Sequence, residues 1–384
     1  MKKLGLTIFF DVFALMLLGL IIVMSASSTY SAIRFDSLFH LFNSHLFKVI
    51  LGILAMIFFC AIPYEIYKEF SKPAIILVTI LLVLTLFFAQ DIKGAGRWIN
   101  LGFFSFQPAD IAKLVLIIHL AAMIEDKGDA LKIYKEGLLY LLFWVLIISG
   151  LILIQPNVSN GILLVFISFV LLYIGGAKLK HIIGTSFLCL IAGAAAAMLF
   201  THSRERILTF ISAINHGGSA NIQVKQALLG LGSGGVFGVG LGHSMQSNLF
   251  LPESYGDFIF AIVGEELGFI GSFIVLFSYL VLFIAGVIIA KKTKDTFGQL
   301  LAFGVTFSII LYAFINAAVA TGLVPTTGLP LPFISYGGTS LIFLCISVGI
   351  LVNIAYSNAK KQNFANNTGP VSTVAKENNE WNRK

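Results

Sequence analysis

Residues 73–90 read PAIILVTILLVLTLFFAQ, a run of apolar and uncharged side chains from end to end. At 1.5 Å per residue a helix over this run covers about 27 Å, close to the roughly 30 Å of bilayer hydrocarbon. Comparable stretches lie near residues 5–26, 46–63, 107–124, 138–155, 160–176, 181–200, 257–290, 299–321 and 338–357. The chain is therefore read as an all-α polytopic integral membrane protein with ten transmembrane helices. Composition agrees: of 384 residues, 58% are apolar and 11% charged, which excludes a soluble globular fold and intrinsic disorder alike. The first stretch begins Met1-Lys2-Lys3 and is too long for the apolar core of a cleaved leader, so it is read as the first span.

The net charge of +7 does not form a nucleic-acid patch, because the basic residues are spread over many short loops. Their distribution is a topology signal instead. With alternate loops assigned to opposite sides, 17 Lys and Arg fall on the side of the N-terminus and 7 on the other, with Lys113 inside a span. The positive-inside rule then places both termini in the cytoplasm. It also makes the longest connection, from Thr201 to about Gly256 between helices 7 and 8, a large extracytoplasmic loop. The moderately apolar stretches Ile207 to Ile214 and Ile222 to Leu231 suit interfacial or re-entrant helices in that loop. The expected domains are a ten-helix membrane domain over 1–361 and a disordered cytoplasmic tail over 362–384. Gly268 and Gly271 are the expected flex points of the long stretch 257–290. Cys60, Cys189 and Cys345 lie in apolar runs and are read as core residues.

The chemistry-bearing candidates gather on the outer side. Asp257 stands where the long loop meets the eighth span, flanked by aromatic residues. A carboxylate there can serve as a general base, although by residue type alone a helix N-cap is the commoner role. Arg97, Lys93, Arg204, Arg206 and Lys225 lie on the same side and suit an anionic, phosphate-bearing substrate, the bland alternative being interfacial anchoring. Asp110 and Lys113 are three residues apart on one helix face, and Glu265 and Glu266 lie within the eighth span. Charges at such depth need partners, and a pair between Lys113 and Glu265 or Glu266 is the economical expectation. Gly230, Gly232 and Gly235 formally match GxGxxG but lack a βαβ context, so tight turns against packed helices are the better reading. Ser335 has no activating partner in sequence and is read as part of a helix-entry turn lining a cavity. The seven histidines show no metal-ligand spacing.

Five motifs in order resemble the SEDS family, the bacterial proteins of shape, elongation, division and sporulation. They are Gly96-Arg97-Trp98-Ile99, Gln107 to Lys113 (QPADIAK), Leu251-Pro252-Glu253 with Asp257 to Ala261 (DFIFA), Gly264 to Gly268 (GEELG) and Leu331 to Gly338 (LPFISYGG). The run Gly234 to Ser244 and Val23 to Ser27 resemble the division branch more than the elongation branch. The resemblance implies a ten-span peptidoglycan glycosyltransferase that polymerises lipid II on the outer face of the bacterial cytoplasmic membrane, at the division site. It implies that Asp257 is the essential carboxylate, taking the proton of a sugar 4-hydroxyl as undecaprenyl pyrophosphate departs. Arg97, Lys113, Asp110, Arg204, Arg206, Glu253, Glu265 and Ser335 are then the substrate-binding candidates. No protein metal site is expected, although a divalent cation such as Mg can accompany the pyrophosphate. The implied partners are lipid II, the nascent glycan strand, a class B penicillin-binding protein and other divisome membrane proteins.

Two departures from the family pattern stand out. Asp110 replaces the usual Glu, and Tyr255-Gly256 replaces the usual His-Thr before the aspartate. Readings from other classes are a lipid II flippase, suited by proline-broken segments near Pro325, Pro330 and Pro332, and a non-catalytic divisome scaffold.

Overall fold

The computed structural model describes residues 1–88, 90–92, 95–100, 105–216, 221–251 and 254–367. The chain runs through α1 (Lys2–Phe35), α2 (His40–Ala61), α3 (Glu65–Glu69) and α4 (Ser71–Phe88) into a small sheet. The sheet consists of β1 (Gln90–Ile92), β2 (Ala95–Asn100) and β3 (Ser105–Phe106). There follow α5 (Pro108–Lys127), α6 (Leu139–Ile154), α7 (Val158–Ile174), α8 (Leu179–Leu199), α9 (Thr201–His216) and α10 (Ile222–Ser233). The chain closes with α11 (Ile259–Lys292), α12 (Thr296–Ala320) and α13 (Ser340–Asn367).

Among the described residues, eight helices are long and apolar enough to cross a membrane: α1, α2, α4, α6 with the π-type turn before it, α8, α11, α12 and α13. The two other apolar stretches of the sequence are also helical. One is α5, which carries Asp110 and Lys113 near its start and Glu125, Asp126 and Lys127 at its end; the other is α7, with only 17 residues. The all-α expectation is corrected by the sheet, whose antiparallel strands pair Gln90 with Trp98 and Ile99 with Phe106. Strands of two to six residues are too short for an alternating pattern to register in the sequence. The last helix continues to Asn367, beyond the boundary expected at Lys361. Residues 368–384 of the expected tail, and Glu253, lie outside the described residues.

Apolar association alone does not hold helices together in lipid, so close backbone approach matters. Helix α2 packs along α13, and α11 lies between α12 and α1. Gly286 of α11 sits directly against the Thr306 side chain of α12, and a Cβ on Gly19 of α1 would lie 2.8 Å from the Ile334 Cα.

As expected, the long loop folds into two helices, α9 and α10. Beyond α10 the glycine-rich run docks on a break in α11, where Gly268 adopts φ 70°, ψ −165°. The break frees main-chain groups that the run then pairs. Val239 and Gly240 donate N–H bonds to the Glu265 and Glu266 carbonyls at 2.9 and 3.1 Å, and Phe269 donates to the Gly235 carbonyl at 2.9 Å. An L side chain at Gly268 meets both a left-handed φ and the Val236 carbonyl oxygen at 2.5 Å from its Cβ. Gly268→Ala is therefore expected to destabilise the protein by about 3 kcal/mol or more, read as a lowered unfolding temperature in detergent.

Candidate active site

The cavity that the fold encloses at the sheet end of the bundle has a volume of about 690 Å³ and is lined from several elements. Asp257 and Gly256 enter it from the turn before α11, Arg97 from β2, Arg206 from α9, Asp110 and Lys113 from the first turns of α5, and Lys48 from α2. Five residues singled out by sequence are thus brought together: Asp257, Arg97, Arg206, Asp110 and Lys113.

Asp257 is not a helix cap. The residue in the cap position of α11 is Phe258, and it makes no side-chain cap bond. The main chain carrying Asp257 is instead held at three consecutive carbonyls. Tyr336 N–H donates to Tyr255 O at 2.8 Å, Ser335 Oγ to Gly256 O at 2.8 Å, and Asn316 Nδ2 to Asp257 O at 2.8 Å. Asn316 also donates to Leu329 O at 2.8 Å, so it joins this segment to the one carrying Gly328. A Cβ on Gly328 would lie 3.4 Å from both Asp257 Oδ2 and Arg206 Nη1. The turn that supplies Ser335 is itself strained, since Phe333 has φ 66° and costs on the order of 1–3 kcal/mol. Tyr279, donating to the Pro332 carbonyl, and Ser335 Oγ, accepting from Leu331 N–H at 2.8 Å, hold it.

The cationic groups are fixed just as firmly. Arg97 donates through Nε to Gln155 O at 3.2 Å and through Nη2 to Pro156 O in the α6–α7 connection. Arg206 donates to Thr326 O at 3.3 Å. Burial draws both guanidinium groups below their usual pKa, Arg97 further through repulsion from Arg206, while attraction to Asp257 opposes the shift in each. Both remain charged, because arginine does not lose its proton in proteins. Lys113 pairs with Asp110 at 3.0 Å, and its ammonium lies 4.5 Å from the centre of the Tyr312 ring. The Tyr312 hydroxyl donates to Asn160 Oδ1 at 2.7 Å.

The remaining described candidates lie elsewhere. Glu265 accepts from Ser244 Oγ and from Met245 N–H at 3.0 Å, and Glu266 from Ser25 Oγ and from Gly242 N–H at 3.2 Å. Both carboxylates anchor the glycine-rich run, which corrects the expected pairing with Lys113. Loop N–H groups, which no side-chain pattern advertises, supply the partners. Arg204 is exposed on α9 and does not line the cavity, whereas Arg206 does. Ser335 is buried behind the cavity wall and positions the Asp257 segment instead of facing the cavity. Sequence reading missed Lys48, Tyr336, Tyr312, Asn157 and Asn160. The available signal was polar residues inside otherwise apolar spans, as with Lys48, Asn160 and Tyr312.

Among the described residues no group of three His, Cys, Asp or Glu could hold a metal ion. Among the described residues that line the cavity, the two carboxylates, Asp110 and Asp257, face Lys48, Arg97, Lys113 and Arg206. These described donors are not the oxygen-rich, net negative cage that a resident divalent cation needs.

The family model described as "cell cycle protein", which groups FtsW, RodA and SpoVE, matches residues 6–360. The chain belongs to the FtsW–RodA–SpoVE family. It is 35% identical over 358 residues to a probable peptidoglycan glycosyltransferase FtsW of Geobacter metallireducens, a match covering 92% of this chain and 95% of that one. It is similar in structure to the rod shape determining protein RodA of Thermus thermophilus, with TM-score 0.68 and 25% identity over 91% of this chain and 96% of that chain. A chain of a peptidoglycan synthase complex that coordinates polymerization and crosslinking shares the fold at TM-score 0.74 and 24% identity, over 91% of this chain and 97% of that one. The FtsW–RodA–SpoVE match extends over every element lining the cavity, from α2 to α13. The chain is accordingly a multi-pass membrane protein of this family.

If the three-carbonyl clamp sets the position of Asp257, its loss should lower turnover more than substrate binding. Ser335→Ala removes a donor to Gly256 O and an acceptor for Leu331 N–H. It is expected to cost about 1–3 kcal/mol in stability and to lower kcat about tenfold with KM little changed. Steady-state kinetics on folded protein separates the two quantities.

Proposed function

We propose that this chain is a peptidoglycan glycosyltransferase that polymerises lipid II on the outer face of the cytoplasmic membrane during cell division. The observation that carries the reading is the cavity, where Asp257 stands among cations that, among the described lining residues, exceed the carboxylates by two. That surplus suits a pyrophosphate, and a carboxylate whose main chain is held at three carbonyls suits proton transfer. The names of the relatives agree with this chemistry.

In this reading Asp257 accepts the proton of the 4-hydroxyl of an incoming lipid II as that oxygen attacks the anomeric carbon of the growing strand. The bond from that carbon to the pyrophosphate oxygen breaks, and undecaprenyl pyrophosphate leaves. Arg97 and Arg206 neutralise the charge developing on the leaving oxygens, and Lys48 and Lys113 extend the positive field along the cavity. Ten spans with both termini cytoplasmic put α9, α10 and the sheet outside, where lipid-linked sugars are exposed. The protein works at the division site with a class B penicillin-binding protein and other divisome membrane proteins, the former in line with the synthase complex that shares its fold.

The test is a liposome reconstitution of the full chain with its penicillin-binding partner and labelled lipid II. Glycan strands from wild type are expected. Translocation of lipid II without any polymer would replace this reading with the flippase.

A further inference from the structure

A second cavity, of about 320 Å³, adjoins the first, and the two share one lining residue, Arg206. Its walls are of another kind. Helix α9 supplies Phe210 and Ile214, α10 supplies Val224 and Leu228, and the segment after α12 supplies Val324 and Pro325. Arg206 is the single charged side chain among the described residues that line it, and its bond to Thr326 O holds the guanidinium at the boundary between the two spaces. The surroundings are also apolar: Ile214, Ile222 and Leu323, on the same three segments, are 67%, 71% and 72% exposed. On a membrane protein such side chains belong in the acyl boundary, so the cavity adjoins hydrocarbon on one side and the charged cavity on the other.

We infer that this second cavity holds the first isoprene units of the donor substrate, the prenyl pyrophosphate that carries the growing strand, with its pyrophosphate on Arg206. The inference rests on the polymerase reading and names the place of one of its two lipid-linked substrates. An amphiphile with a dianionic head and a branched hydrocarbon tail matches a site whose described lining is apolar or uncharged, with Thr209, Asn221, Thr321 and Thr326 among the apolar side chains, except for one fixed cation at its inner end. Asp257 Oδ2 and Arg206 Nη1 each lie 3.4 Å from the point a Gly328 Cβ would occupy, so the carboxylate and the cation shared by the two cavities are neighbours. The donor is favoured over the acceptor because, in the polymerase reading, it is the donor's pyrophosphate that departs and needs the cation. The rest of the tail continues into the bilayer.

The experiment uses the full chain in nanodiscs of phosphatidylethanolamine and phosphatidylglycerol, with a prenyl pyrophosphate carrying a photoreactive diazirine near its head. Labelling is expected at Phe210 to Ile214 and Val224 to Leu228, with unlabelled prenyl pyrophosphate competing and added phosphatidylglycerol not. Ala213→Trp and Val224→Phe, which fill the cavity, should each weaken prenyl pyrophosphate about tenfold and leave protection by inorganic pyrophosphate unchanged. Labelling confined to other helices, or equal competition by phosphatidylglycerol, would overturn the inference. Lipid II polymerisation is measured on the same wild-type sample. Polymer without label in the cavity sinks the inference alone, whereas label in the cavity without polymer supports a prenyl site and sinks the polymerase reading.

Discussion

Asp257→Asn is expected to lower glycan-strand formation by about 10²- to 10⁴-fold, the range that general base catalysis contributes. The substitution keeps size and removes the negative charge together with the capacity to take a proton. The backbone hydrogen bonds at Tyr255 O, Gly256 O and Asp257 O do not involve the side chain, so the turn should persist. Protein yield should be retained, with the unfolding temperature lowered only as far as Arg97 and Arg206 lose the attraction of the carboxylate. The loss should appear in kcat, because substrate is held mainly by the cationic groups. A variant that retains full activity would remove Asp257 from the chemistry and leave the cavity as a binding site.

The second large effect concerns Arg206. Removing one preorganised donor from a site of developing negative charge costs about 2.7–4 kcal/mol, or roughly 10²- to 10³-fold in rate. Arg206→Ala is expected in that range. Arg206→Lys should recover part of the loss, since it restores the charge but not the two-pronged geometry. Loss of a cation beside Asp257 does not weaken a base, so the drop reports charge on the substrate. Arg204→Ala, two residues away and exposed, is expected to stay within about twofold of wild type. The pair separates a local effect at the cavity wall from a general effect of positive charge on the outer surface. Equal losses in Arg204→Ala and Arg206→Ala, reversed by low salt, would favour the general effect.

The helices were legible because long apolar runs separated by charged loops leave few alternatives. The break in α11 was legible because Gly268 interrupts a stretch too long for one straight crossing. Harder to read was which polar residues meet. Arg204 and Arg206 look alike in sequence, yet two residues along a helix point about 200° apart, so only one of them can face the cavity. Lys48, Tyr312 and Asn160 are single polar residues in apolar runs, and their convergence depends on how α2, α12 and α7 pack. The partners of Glu265 and Glu266 are not legible, because the structure answers these carboxylates with the backbone N–H groups of Gly242 and Met245 and with two serines. The motif carrying Ser335 stands out in sequence, but its service to Gly256 O, 79 positions away, is visible only in three dimensions.

Whether Asp257 takes the proton from the attacking sugar hydroxyl is decided by the structure of the Asp257→Asn chain trapped with lipid II and a prenyl pyrophosphate-linked strand. The 4-hydroxyl oxygen of lipid II is expected at hydrogen-bonding distance, about 3 Å, from the residue 257 side chain, with the pyrophosphate against Arg97 and Arg206. A 4-hydroxyl positioned on another carboxylate, or a pyrophosphate bound outside the cavity, would contradict that expectation.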